Sequence, residues 1–233
     1  MYVPPTLTLP ALPLSPAEIE AAEVPVSTRP VATSLRVRRA NLNVLDGAAA
    51  SVTGQLLADP DANGAPGATD TFAPSADRPV GVAGLLVRLQ ARARHGWQTL
   101  ADTRTGPLGR YRLRYRTRRL GSERLRVSFS GAAGLRAAHR PVGPLNVYHL
   151  AEVSWYGGGG SLACGGSLTS STMGVANKTL PCGTPVTLRY GGRTVRVQVI
   201  DRGPYVEGRE YDLTEATARA LGFEGVGEMW ASS

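Results

Sequence analysis

The stretch VIDRGPYVEGREYDL, Val199 to Leu213, decides how the chain is read. The apolar alternation Val195, Val197, Val199 marks a strand that runs into Asp201; the chain then turns through Arg202-Gly203-Pro204, and a second carboxylate, Asp212, stands where the next element begins. Glycosidic cleavage needs a proton donor at the bridging oxygen, and a partly buried Asp supplies one. Two acids at the ends of rigid elements, joined by a Gly/Pro loop with Tyr205 and Tyr211, therefore outline a carbohydrate-cleaving groove. Structural readings stand beside this one. Asp201 in a turn can instead accept backbone amides or pair with a nearby Arg. Asp212-Leu213-Thr214-Glu215 has the pattern of a capping box opening a helix over residues 212–221, which makes capping the preferred duty of Asp212 and catalytic support the lesser one.

Working outward, Gly183–Tyr190 and Arg193–Asp201 read as a hairpin turning at Gly191-Gly192, and Gly222 closes the helix at its C-terminal end. Upstream, EVSWYG at 152–157 reads as a strand ending in two aromatics before a four-glycine loop. Tyr156 and Tyr205 are equally suited to stacking on sugar faces or to acting as core lids, whereas Trp155 and Trp230 read as core. Cys164 and Cys182 are the only cysteines. With no His after His149 to activate a thiolate or complete a zinc site, a disulfide is the better reading, and it implies an oxidising, extracytoplasmic setting. His95 reads as a turn residue, and His139 and His149 as isolated; none has metal-ligand spacing, and no metal or cofactor is called for.

Composition points the same way. The chain has 233 residues, 28 Gly and 17 Pro but only three Phe and three Trp, which favours short strands and tight turns and hence a mainly β fold. The formal charge of +8 is unevenly spread: residues 30–150 hold 18 Arg against seven Asp or Glu, while the remainder is close to neutral. Such asymmetry argues for two domains, one electrostatically adhesive. Residues 1–30 lack a basic start, and prolines interrupt their apolar stretch. They read as a Pro-rich disordered leader or linker rather than an export signal, so that signal would lie upstream or have been removed. No apolar run is long enough for a membrane span.

Between residues 31 and 149, short alternating segments at the spacing of an antiparallel sandwich predict an Arg-rich β-sandwich similar in pattern to immunoglobulin-like domains. Tyr111, Leu113, Tyr115 and Thr117 face one way, and Arg110, Arg112, Arg114, Arg116 and Arg118 the other. Val87, Leu89, Ala91 and Ala93 against Arg88, Arg92 and Arg94 repeat the arrangement, with Arg124 and Arg126 as an extension. A guanidinium ladder of this kind suits anionic wall polymers better than nucleic acid; the plain alternative is a solvated strand face.

SWYG (154–157), ACG (163–165), TLPCGT (179–184), VIDRGPYVEGR (199–209) and YDLTEATARALG (211–222) together resemble the rare lipoprotein A family, over about the last 80 residues. The resemblance implies a six-stranded double-psi β-barrel with a short helix over residues 150–233. It also implies a secreted, cell-wall protein of lytic transglycosylase type acting on peptidoglycan strands, with Asp201 as general acid/base; Arg202, Tyr156 and Tyr205 are the candidate substrate contacts beside it. Family members usually carry His where this chain has Asn177, which can hold a hydrogen bond to a sugar or to Asp201 but cannot carry a proton at neutral pH. That departure keeps a second class open, an expansin-like module that binds or loosens glycan without cutting it.

Overall fold

The computed structural model describes residues 30–59 and 78–233, so the expected leader lies outside the described residues apart from Pro30. Strands dominate: β1 (Ala32–Asn41), β2 (Asn43–Leu45), β3 (Ala49–Asp59), β4 (Val80–Gly81), β5 (Leu86–Ala93), β6 (Gly96–Arg104), β7 (Arg110–Arg116), β8 (Gly121–Phe129) and the long β9 (Ala138–Tyr156) come first. Then follow β10 (Gly160–Ser161), β11 (Ser167–Leu168), β12 (Val175–Ala176), β13 (Pro185–Tyr190), β14 (Arg193–Asp201), β15 (Tyr211–Thr214), the helix α1 (Glu215–Leu221) and β16 (Gly227–Ser232).

Strict alternation builds the first core. In β3 the side chains of Ala50, Val52 and Leu56 turn inward, and β1 and β7 flank this strand, each antiparallel to it. The facing sheet runs β2-β9-β8-β5-β6 and contributes Val87, Leu89, Leu125, Val127 and Phe129 to the same cluster. The alternation expected for residues 110–118 is present in β7, with Tyr111 and Leu113 buried and the four arginines exposed. The other expected ladder differs in two ways. Ala93 is exposed at the strand end, and β5 and β8 belong to the sheet opposite β7, so their arginines emerge on the other outer surface.

Gly54 is the tightest point of this packing. It lies opposite Tyr111, whose hydroxyl donates to Arg36 O at 3.1 Å, and a Cβ on Gly54 would meet both that carbonyl and the Tyr111 ring. Burial pushes the Tyr111 phenol up to about 12, against the pull of the Arg140 charge, so the hydroxyl stays a donor.

The second core sits inside a closed ring of six strands, β9-β16-β13-β14-β12-β15 and back to β9, with β12 parallel to β14 and β15 parallel to β9. Val153, Val175, Leu188, Val199, Tyr211 and Leu213 fill it. β9 serves both cores: Leu145 and Val147 face the first, Ala151 and Val153 the second. Where it crosses over, His149 is not isolated. Its Nε2 donates to the Glu210 carboxylate at 2.9 Å, and that bond holds the imidazole above its ordinary value despite partial burial.

Three local expectations change. The helix starts at Glu215, and its N-cap is Thr214, whose hydroxyl accepts from Thr217 N; Asp212 belongs to β15, paired to strands on both sides, so it does not cap. Gly222 ends the helix in the left-handed conformation, as expected. Trp155 is 43% exposed at the rim beside α1 instead of in the core, while Trp230 is half-buried against Tyr148.

Gly54→Ala should cost about 1–3 kcal/mol, because the intruding methyl meets a backbone carbonyl that cannot swing away. Thermal denaturation of the variant checks this, and an unchanged melting temperature contradicts the packing described.

Candidate active site

The site grows from a register step. Val175 pairs with Val199 on one side and Leu213 on the other, all three fully buried; one residue on, Ala176 pairs with Asp201 and Asp212. Asp212 in turn lies opposite Ser154, so Asp201, Ala176, Asp212 and Ser154 form one row across β14, β12, β15 and β9. Between the two pairings β14 advances two residues while β12 advances one. That irregularity at Ile200 matters: by the parity of Val197 and Val199, Asp201 would point into the core, and the extra residue re-aims it onto the face of Asp212. Strand spacing sets the two Asp backbones about 9–10 Å apart, with Ala176 on the strand between them.

The two carboxylates are held differently. Asp201 Oδ1 accepts Ala163 N at 2.9 Å and Arg202 N at 2.8 Å, so the turn-amide reading of this residue holds together with its place in the row. Asp212 Oδ1 accepts from Ser154 Oγ at 2.7 Å, and Arg209 Nη1 donates to that same Ser154 oxygen at 3.2 Å. Burial pushes the Asp212 carboxyl above its ordinary value; the Ser154 bond and the Arg209 charge pull it down, and the charge of Asp201 adds to the rise. The Tyr156 hydroxyl is buried without a hydrogen bond of full geometry, yet it lies close enough to Asp201 and Asp212 for both to reinforce the rise that burial imposes on its phenol. Ser154 and Arg209 went unnoticed as site residues in the sequence, although both sit inside the quoted motifs.

Other expected groove residues do framework work. Asn177 is only 5% exposed: Oδ1 accepts Thr179 N at 3.0 Å and Leu180 N at 2.8 Å, and Nδ2 donates to Glu210 O at 3.1 Å. It is a loop brace, not a surface contact for sugar, and none of these bonds reaches the Asp201 carboxylate. Arg202 likewise spends Nη1 on Leu180 O at 2.9 Å and Asn177 O at 3.2 Å, with Nη2 3.1 Å from Cys182 Sγ. Tyr205 is 85% exposed on the loop after Asp201, so it is no core lid. Cys164 and Cys182 are bonded, and Cys164 N donates to Ile200 O, so the disulfide fastens the segment whose Ala163 amide holds Asp201. Among the described residues no group of three or more His, Cys, Asp or Glu is placed to hold a metal.

Two measurements test this arrangement. Because the folded-state value of Asp212 is raised, the native protein binds that proton more tightly than the unfolded chain does. Stability therefore falls as pH rises from the ordinary Asp range through the raised value, and stays lower above it. Asp212→Asn should then melt higher than wild type at pH 7, with the advantage gone below about pH 3.5, where both states are protonated. Replacing both cysteines by Ala should cost about 3 kcal/mol for a closed loop with sequence separation 18, read by denaturant unfolding; a loss below about 1 kcal/mol would mean the loop is held without the bond.

The family model described as "Lytic transglycolase" matches residues 150–230, the span of the strand ring. "Probable endolytic peptidoglycan transglycosylase RlpA" of Aquifex aeolicus (strain VF5) is 39% identical over 93 residues, 38% of this chain and 41% of that protein. The protein of the same name from Synechocystis sp. is 40% identical over 83 residues, 33% of this chain and 26% of that one. "Endolytic peptidoglycan transglycosylase RlpA" of Rickettsia bellii is 32% identical over 94 residues, 37% and 41% of the two chains. The chain spans about two-fifths or less of the length of these relatives. Among solved structures, Streptomyces papain inhibitor aligns at 26% identity over 37% of this chain and 94% of its own, with a TM-score of 0.30. The matched family and the closed six-strand ring with its parallel pairings agree, and residues 150–230 are a double-psi β-barrel domain of the rare lipoprotein A (RlpA) type.

Proposed function

We propose that this protein works in the bacterial cell wall and cuts peptidoglycan glycan strands by a lytic transglycosylase reaction, in the groove over β12. The observation that carries this reading is the row that sets Asp201 and Asp212 on the two strands flanking Ala176, with the Tyr156 hydroxyl close to both. In the reaction, the bond from the sugar C1 to the bridging oxygen breaks and that oxygen takes a proton from a carboxyl group. The substrate's own C6 oxygen then bonds to C1 and gives its proton to a carboxylate, so no water is consumed. Asp201, half-buried at the end of β14 and steadied through one oxygen by two amides, is the acid/base that moves these protons. Asp212, whose burial favours its protonated form, is the partner that supplies or holds the second proton. Tyr205, in the open, offers a ring to a sugar face. The two cores correspond to two domains meeting near residue 150, and the arginine-rich one retains the protein on anionic wall material.

A second reading has its own observation: with Asn177 locked into the loop, the position that carries His in the resembled family has no transferable proton, as in a barrel that binds glycan without cutting it. Digestion of purified peptidoglycan, with and without stem peptides, followed by mass spectrometry separates the two. Anhydro-muramic ends establish the transglycosylase, reducing ends a hydrolase, and pelleting with the wall without products a binding module. Asp201→Asn should lose at least about 100-fold in cleavage while folding and glycan binding survive. Asp212→Asn should lose a comparable factor, since capping is the work of Thr214 and leaves Asp212 free for chemistry. Asn177→His should gain nothing, because an imidazole cannot accept both loop amides and the ring would be buried away from the groove.

A further inference from the structure

The arginines of the first half fall into two sets with different surroundings. On the β5–β8 surface three are engaged: Arg88 donates to Ser130, Arg126 donates to Gln90 and lies 4.2 Å over the Trp97 ring, and Arg92 approaches the same ring at 5.7 Å, while Arg124 is exposed. On the β1–β3–β7 surface Arg110, Arg112, Arg114 and Arg116 project side by side from β7. Arg36 and Arg39 stand two strands away, across Gln55 and Thr53, and Arg38 between them is engaged, donating to Gln55 Oε1 at 3.2 Å. The other six are exposed, and among the described residues none of them forms an ion pair with a carboxylate. Like charges at a two-residue repeat repel, and folding alone gains nothing from aligning them.

We propose that this face binds a linear phosphodiester polymer of the glycerol-phosphate type, laid along β7. The reasoning starts from period. Successive β7 guanidiniums are two extended residues apart, about 7 Å, which is the length of six backbone bonds. A glycerol-phosphate repeat also has six skeletal bonds from one phosphorus to the next, so each phosphate meets one guanidinium, in the fork geometry that Arg offers phosphate oxygens. Pyranose-based polyacids lack this repeat. Nucleic acid shares it, but a single strand also needs aromatic platforms for its bases, and here Tyr111 and Tyr115 pack inward against the core while the strand between the arginines offers Ser51, Thr53 and Gln55. The site does not depend on the glycan chemistry at Asp201, and its failure would leave that reading untouched.

The test uses the full chain and purified poly(glycerol phosphate), with a single-stranded oligodeoxynucleotide of equal charge and polygalacturonate as comparators, titrated by calorimetry at several NaCl concentrations. Wild type should bind the glycerol-phosphate polymer best, with log affinity falling against log salt at a slope of about −3, as expected for four phosphate contacts. Changing Arg110, Arg112, Arg114 and Arg116 together to Gln should weaken binding at least about 10-fold at low salt and flatten the slope. The milder pair R112Q/R114Q, on solvated side chains, should lose about 3-fold and serves if the fourfold variant melts early. Arg92→Gln with Arg124→Gln, on the opposite surface, should stay within about 2-fold of wild type. The proposal is overturned if that control loses as much as the ladder variants, if either comparator binds as tightly as the glycerol-phosphate polymer, or if wild type shows no binding at low salt.

Discussion

Two residues, Val175 and Ala176, hold the carboxylate row together. β12 is too short to stand by itself and is wedged between a parallel and an antiparallel neighbour, so its backbone fixes the register of both carboxylate-bearing strands. Its entry is secured below the surface: Gly174 N is shared by the hydroxyls of Thr214 and Thr217, and Thr214 N returns a bond to Gly174 O. These buried hydroxyls are satisfied by one another and by backbone, which is the condition for a polar knot inside a core to stabilise rather than cost. A Cβ on Gly174 would collide with Ile200, the residue at the strand irregularity that turns Asp201 outward. Helix start, short strand and carboxylate orientation are therefore one packing problem.

The surroundings of Asp201 and Asp212 show how one fold gives two acids unequal settings. Asp201 is tied through one oxygen to two amides, one of them from the segment that the disulfide fastens. Asp212 is answered by a hydroxyl and, through it, by Arg209, in a site where burial works against its charge. Burial therefore bears on the protonation of Asp212 in particular, and the Ser154 hydroxyl and the Arg209 charge oppose it.

Much of this was legible in the chain and some was not, for definite reasons. The arginine strands declare themselves because period-two alternation of Arg with Tyr and Leu has no helical reading, and the hairpin over Gly191-Gly192 follows from two flanking alternations. Which arginines share a surface was hidden, since it depends on pairing between β3 and β7, strands far apart in sequence. Asp212 misleads because residues 212–215 satisfy a capping pattern that the true cap, Thr214, displaces by two positions. The outward turn of Asp201 rests on one extra residue, a distinction no periodicity carries. Asn177 reads as a surface amide by type, and only the loop that closes over it makes it a brace. Trp155 has the composition of a core residue but falls at the ring's rim.

The long strand β9 has a mechanical meaning. Ten residues from Ala138 to Val147 are hydrogen-bonded into one core and those from His149 to Tyr156 into the other, with no loop between. If one half is anchored and the other engages a taut strand, the pull passes along the covalent backbone of β9. Its ladder bonds to β8 on one side and to β16 and β15 on the other are then loaded together, sideways, instead of being peeled one at a time. Such a connection transmits tension without stretching, where a loop would go slack.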